Sequence, residues 1–182
     1  AFARLSDQLL LQLSTILLAS EACGRWASAF SAVVIVLLPK QDGGRRPIGL
    51  MNGVVRLWAR VRSKVAREWE AANPRPYLFG GAGMGATRAA WQVAFRAECA
   101  ARAGKHYAQS LLDLVTAFDQ VPHHHVVEAA RRHGLNLWAV RMSILTYRMT
   151  RFFGIDGVFS RGILTTSSFT AGSSCSTAAL PT

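Results

Sequence analysis

The sequence predicts an α+β fold, because helical and extended patterns both occur along its 182 residues. Apolar side chains recur with a helical period over Leu5–Ala22. A β-branched run, Val33–Leu38, predicts a buried strand. Hydrophobic residues make up 51% of the chain, so it can bury a core and is not a disordered tail.

The N-terminal half contains three further local signals. In the first helix Leu9, Leu13, Ile16 and Leu17 share a face, and Gly24 can end the helix. Asp42-Gly43-Gly44 is a turn signal, so Lys40 and Arg46 are expected on the two arms of a hairpin. The pattern over Val54–Glu70 predicts a second helix, whose apolar face would be formed by Leu57, Val61 and Val65.

The C-terminal half is expected to alternate between helices and strands. We predict a helix at about Thr87–Ala103, a strand over Tyr107–Leu114, and a helix over His123–His133 that starts after Pro122 and ends at Gly134. The next helix should bury one apolar stripe, made of Trp138, Met142, Leu145 and Met149. A hairpin is then predicted over Arg151–Leu164, with its turn at Asp156-Gly157.

The charge balance indicates a polyanionic partner. The formal net charge is +11, from 21 basic and 10 acidic residues, and most of the basic residues are arginines. Arginine presents a planar fork of donors that fits phosphate, so nucleic acid is the simplest partner. The alternative is a basic surface that serves solubility alone.

Cysteine and hydropathy patterns exclude several classes of protein. Cys23, Cys99 and Cys175 are scattered, without a Cys-x-x-Cys pair, which argues against a zinc site and a disulfide framework and favours a reducing compartment. The apolar run Ala32–Leu38 is too short to span a bilayer, so no membrane association is expected. Since the sequence lacks an initial Met, we expect an internal fragment of a longer protein.

The segment Ser110–His123 carries the candidate chemistry. Asp113 follows a short apolar run, and a carboxylate at the end of a buried strand is costly unless something such as a divalent metal compensates it. The alternatives are that Asp113 and Asp119 cap turns and that Phe118 is a core residue. The run His123-His124-His125 is not expected to bind a metal, because consecutive helical residues point in different directions.

Two groups of basic residues can be interpreted either as ligand-binding residues or as solvent-exposed charges. Lys40 and Arg46 either form an exposed hairpin tip or clamp a triphosphate. A basic face of the second helix either is solvated or contacts a nucleic-acid backbone. The residues of that face are Arg56, Arg60, Lys64 and Arg67.

The order of these segments resembles a reverse transcriptase of the kind found in non-LTR retrotransposons and group II introns. The resemblance extends from about Arg25 to Ala179 and starts with Trp26 and the strand that ends Leu38-Pro39-Lys40. Arg46-Pro47-Ile48 with Leu50 matches the family's Arg-Pro-Ile-x-Leu signature. Leu112–Asp119 with His123 matches the first catalytic motif.

The resemblance implies a role for each matching residue. Asp113 would bind two Mg²⁺ (or Mn²⁺) ions beside the carbonyl of Leu114, for transfer of a deoxynucleotide from dNTP to a DNA primer on an RNA template. Lys40 and Arg46 would hold the triphosphate, and the Arg56–Arg67 face would follow the template backbone. The remaining nucleotide contacts would be made by Ala117, Phe118, Ala171 and Gly172, with Phe118 excluding a 2′-hydroxyl.

The resemblance also implies a right-hand polymerase with fingers over residues 1–105, an incomplete palm over 106–182 and no thumb. That palm would contain a helical segment at 122–150 and the hairpin at 151–164. The family's aromatic-x-Asp-Asp motif would lie beyond Thr182, so we expect this stretch alone not to polymerise. A nuclear location is implied by the family only.

Two other interpretations remain open. In the first, the chain is a catalytically inactive remnant that keeps a basic nucleic-acid-binding surface. Alternatively, it uses Asp113 in another phosphoryl transfer, which leaves Lys40 and the Arg46-Pro47-Ile48 stretch unexplained.

Overall fold

A computed structural model of the chain describes residues 4–74, 79, 85–110, 120–155 and 157–167, and it confirms the α+β class. The chain divides into two compact units, Ala1–Arg67 with Ala117–Thr182 (the sheet unit) and Glu68–Thr116 (the α3 unit). The described elements are α1 (Asp7–Cys23), a 3₁₀ turn (Ser28–Phe30), β1 (Ala32–Pro39), β2 (Arg45–Met51), α2 (Gly53–Ala72), α3 (Ala86–Arg102), α4 (His123–Arg132), α5 (Leu137–Tyr147), β3 (Thr150–Ile155) and β4 (Val158–Phe159).

The sheet unit is built on a four-stranded mixed sheet in the order β2-β1-β3-β4. β1 pairs antiparallel with β2 and parallel with β3, and β3 pairs antiparallel with β4. Both predicted hairpins are confirmed. Gly43 in the first turn has φ +80° and Gly157 in the second has φ +82°, a region that favours glycine.

The main core lies against one face of the sheet. Val33 and Ile35 of β1 contribute from that face, and α2 covers them with Val55 and Trp58. The other members of this buried cluster are Trp26, Met142 and Met149. Because side chains alternate along a strand, the residues next to Val33 and Ile35 belong to the opposite face, which is called the outer face below.

A second, smaller cluster joins α4 to α5. It contains Val126 and Ala130 from α4 and Val140, Ile144 and Tyr147 from α5. Gly134 ends the first of these helices with φ +67°, as predicted, and the N–H of Leu135 donates to the carbonyl of Ala130 at 2.9 Å. Asn136 then caps α5 by accepting from the N–H groups of Trp138 and Ala139.

Four predicted faces or spans are wrong in detail, and the first two concern α2 and α5. The buried side of α2 is formed by Val55 and Trp58, whereas Val61, predicted to lie on the apolar face of the helix, is 60% exposed. Trp58 explains the difference, because its ring meets Trp26 edge to face and its N–H bonds to Glu21, which together orient the helix. Trp138 is exposed because the core contacts of its stripe begin one turn later, at Met142.

The other corrections concern α1 and the strand before Asp113. Leu13 and Leu17 of α1 are half-buried, but Leu9 and Ile16 are exposed, because this helix meets the main core through the side that carries Leu17. A strand is predicted over Tyr107–Leu114, but residues 107–110 have no regular secondary structure. Residues 111–114 lie outside the described residues.

The α3 unit is described mainly by its helix. The carbonyl of Ala100 accepts from the N–H of Lys105 at 2.9 Å and ends α3 close to the predicted position. Arg102 and Glu98 form an exposed ion pair at 2.8 Å one turn apart. The proposed division into fingers over 1–105 and palm over 106–182 stays a prediction.

Candidate nucleic-acid interface

Four cationic side chains follow one exposed face of α2, as the sequence predicts. They are Arg56, Arg60, Lys64 and Arg67, and we call this set the basic stripe. Their spacing of four, four and three residues keeps them on one side of the helix over about 16 Å, given a rise of about 1.5 Å per residue. Such a row of cations can contact successive phosphates of a nucleic-acid backbone.

The position of the basic stripe is fixed by what α2 buries. Asn52 starts the helix by accepting from the N–H of Val54 at 2.9 Å with its side-chain oxygen. Val55 and Trp58 then insert into the core under the sheet. On a helical projection the basic stripe lies away from these two residues, so it faces solvent rather than the sheet.

Arg62 lies outside the basic stripe and is neutralised by Glu21. Its Nε donates to Glu21 Oε1 at 2.6 Å, a second guanidinium nitrogen donates to Oε2, and Trp58 Nε1 donates to Oε1 at 2.6 Å. The hydrogen bond from Arg62 lowers the pKa of Glu21 below its ordinary value of 4.5, against a smaller opposing effect of burial. The same bond raises the pKa of Arg62, so this arginine acts as a structural link between α1 and α2.

The β1–β2 hairpin holds the second cationic pair. Arg46 pairs with Leu38 in the register, and the Lys40 N–H bonds to the Gly44 carbonyl at 2.8 Å, which continues the ladder by one more pair. Lys40, Leu38 and Arg46 are therefore on the same outer face, and Lys40 and Arg46 are exposed. Arg45, which sequence reasoning did not single out, pairs with Pro39 and lies on the opposite face.

The hairpin pair and the basic stripe lie on opposite sides of the sheet unit. α2 covers the inner face of the sheet with Val55 and Trp58, while Lys40 and Arg46 belong to the outer face. The stripe, in turn, faces away from the sheet. The geometry therefore brings Lys40 and Arg46 together but does not bring them to the same surface as Arg56–Arg67.

The remaining predicted site residues lie outside the described residues. They are Asp113, Leu114, Ala117, Phe118, Ala171 and Gly172, and Asp119 lies there too. Within the described ranges, no three His, Cys, Asp or Glu side chains converge in a way that would hold a metal. In the histidine run, His123 is buried beside Tyr147, whereas His124 and His125 are exposed.

The comparisons with known proteins identify no relative. Neither the models of protein families nor the curated proteins compared with this sequence include a match. A membrane-crossing helix, which would need a long apolar segment, is not found in the described part of the chain.

Proposed function

We propose that this chain is part of an RNA-directed DNA polymerase of a retroelement, containing fingers and part of a palm. The observation that carries the proposal is that Lys40 and Arg46 share one exposed face of a β-hairpin. A point charge and a planar fork side by side fit the phosphates of a nucleoside triphosphate. The motif order around Asp113 supports the same activity, since it resembles that of reverse transcriptases.

In this proposal each residue has a defined task. Lys40 and Arg46 neutralise the triphosphate, whose charge shifts toward the leaving pyrophosphate during transfer. Asp113 would hold Mg²⁺ or Mn²⁺, which when bound supplies charge stabilisation for nucleotidyl transfer. Phe118 would lie against the sugar and select deoxynucleotides, and the basic stripe would follow the RNA template.

The polymerase activity is tested in the intact parent protein with a primed RNA template, dNTPs and Mg²⁺. The Asp113→Asn variant should lose primer extension and keep its affinity for the template, because it removes a metal ligand without changing the basic surfaces. Equal extension by the variant and the parent would overturn the assignment of Asp113.

The role of the hairpin is tested with two neighbouring arginines. Ligand binding raises the melting temperature of the chain, so dNTP with Mg²⁺ should stabilise it. Arg46→Ala should remove most of that increase, whereas Arg45→Ala, on the other face of β2, should leave it nearly unchanged. An equal response of the two variants would show that the hairpin attracts the nucleotide by charge alone.

A second candidate function is favoured by the basic stripe, which is exposed and independent of the hairpin. The chain would then be a catalytically inactive remnant that binds nucleic acid through backbone contacts. Binding of RNA occurs in both cases and does not separate them. Stabilisation by dNTP with Mg²⁺, dependent on Arg46, favours the polymerase.

A further inference from the structure

The outer face of the sheet is apolar among the described strand residues, and three of its side chains are well exposed. Leu38, Leu50 and Phe159 are 45%, 51% and 59% exposed. The half-buried members of the same face are Val34, Val36, Ile48 and Phe152. The register places all seven side chains together, because the pairs Val36↔Ile48, Val34↔Phe152 and Gly154↔Phe159 lie on one side of the sheet.

Two glycines lie beside the phenylalanine rings of this face. A Cβ at Gly154 would be 2.9 Å from Cε1 of Phe159, so the ring of Phe159 lies close over β3, where residue 154 has no side chain. A Cβ at Gly162 would be 2.6 Å from the Cγ2 methyl of Thr150 and in ordinary contact, at 3.4 Å, with the ring of Phe152. Phe159 is 59% exposed and Phe152 is half-buried, which leaves aromatic surface for contact with a ligand.

The charge of the outer face favours an anionic ligand. Lys40 and Arg46 lie at its hairpin end, and none of the described strand residues on this face is acidic. A second copy of the chain would also have a net charge of +11, so like charges would oppose self-association through this face. A ligand with flat apolar groups joined by negative charges matches both the rings and the cations.

We propose that the outer face binds single-stranded nucleic acid, with bases stacked on Phe159 and Phe152 and phosphates at Arg46 and Lys40. The proposed polymerase would use the same two cations for the triphosphate, so the two ligands compete for them. Every base has a π-face, so stacking on exposed rings beside cations binds single strands with little sequence preference. β4 and β2 are three strand spacings apart, or about 14 Å, so the strand must lay several nucleotides across the sheet. This binding does not depend on nucleotidyl transfer.

The test uses the full chain and a fluorescein-labelled oligothymidylate of about twelve nucleotides, a length within the usual range for one single-strand site. Fluorescence anisotropy should show that Phe159→Ala weakens binding about tenfold, the loss expected for one stacked base. Phe159→Trp should bind as tightly as the parent. Val158→Ala is the matched control, because Val158 is exposed on the same strand but pairs with Ile155 on the other face.

Two outcomes would overturn the proposal. If Phe159→Ala binds as tightly as the parent, the ring does not contact the bases. If Phe159→Leu binds as tightly as the parent, an apolar side chain without a ring suffices, and bases are not stacked on Phe159. The melting temperature of each variant identifies any loss of folding.

A crosslinking experiment on the unsubstituted chain gives an independent result. An oligonucleotide containing 5-bromouracil should crosslink on irradiation to the peptides that contain Phe152 and Phe159. Crosslinks confined to α2 would contradict the proposal. The Asp113→Asn variant should bind the oligonucleotide like the parent, so a failure of this site and a failure of the proposed polymerase are distinguishable.

Discussion

The indole Nε1 of Trp26 donates a 3.0 Å hydrogen bond to the hydroxyl of Thr146, which lies 120 residues later in the chain. Both residues are buried, and the Thr146 hydroxyl also donates to the carbonyl of Met142. Trp26 packs in addition against Trp58 of α2, with ring centroids 5.4 Å apart. The bond therefore fixes the chain between α1 and β1 against α5, on the side of the sheet that carries α2.

We expect Thr146→Val to destabilise the sheet unit by about 2 kcal/mol, because it keeps the shape of the side chain and leaves the Trp26 N–H buried without a partner. Thr146→Ser keeps the hydroxyl and should cost less. Urea unfolding of the full chain, followed by tryptophan fluorescence, measures both. Equal stability of the Val and Ser variants would show that this hydrogen bond contributes little.

Gly24 and Gly134 provide a matched pair of helix ends with φ of +60° and +67°. Alanine at either position costs about 1–2 kcal/mol for the left-handed conformation. At Gly24 a Cβ would also fall 1.8 Å from the guanidinium of Arg141, whereas nothing lies within 4 Å of one at Gly134. Because the exposed Arg141 side chain can move aside, Gly24→Ala should be only slightly the more destabilising, as measured by thermal unfolding.

The contact with Arg141 can be separated from the backbone effect. Since Arg141 is exposed, its side chain can be shortened with little loss of packing. In an Arg141→Ala background, Gly24→Ala should cost about as much as Gly134→Ala. A difference that persists in that background would contradict the assignment of the excess to the guanidinium.

The sequence predicted the elements of the sheet unit better than the faces they bury. The β1–β2 hairpin was predictable because Asp42-Gly43-Gly44 is a local signal, and Gly24 likewise marks the end of α1. The buried side of α2 was not, because Trp58 and Glu21 are 37 residues apart in sequence and form their bond only in the folded chain. Such long-range contacts determine which side of α2 is buried, and the helical pattern around Val61 alone does not reveal it.

The candidate interface shows the same limit. Strand alternation suffices to put Arg45 and Arg46 on different faces, and helical spacing suffices to align the basic stripe. That Lys40 and the stripe lie on opposite sides depends on which face of the sheet α2 covers, which is a tertiary property. The apolar outer face was also not predicted. Strand alternation and the hairpin turn place Phe152, Gly154 and Phe159 on one face, but which face α2 covers is not visible in the sequence.

The ion pair of Glu21 predicts how stability depends on pH. Because the pKa of Glu21 is lowered in the folded chain, its contribution is fully present above the unfolded value near 4.5 and is lost as pH falls through the folded pKa. Arg62 is 35% exposed, so solvent limits the effect, and we expect Glu21→Gln to cost about 1 kcal/mol at pH 7.

The measurement is urea unfolding of the parent and of Glu21→Gln between about pH 7 and pH 3, the range over which a carboxylate of this kind titrates. The difference between them should shrink toward the acidic end. Glu98→Gln is the control, because the pair of Glu98 with Arg102 is exposed and should change stability little. A difference that is constant with pH would contradict an ionised Glu21 as its source.

The basic stripe predicts a change in the salt dependence of nucleic-acid binding. Each phosphate contact releases a counterion, so the slope of log K against log salt decreases in magnitude by about 0.7–1 when one such cation is removed. The double variant Arg56→Ala, Arg60→Ala should therefore reduce the magnitude of the slope by about 1.4–2 for an RNA probe. Arg132→Ala, at an exposed position near the end of α4, should leave the slope close to that of the parent. If the double variant keeps the slope of the parent, Arg56 and Arg60 are solvated charges, and the net charge of +11 acts through other arginines.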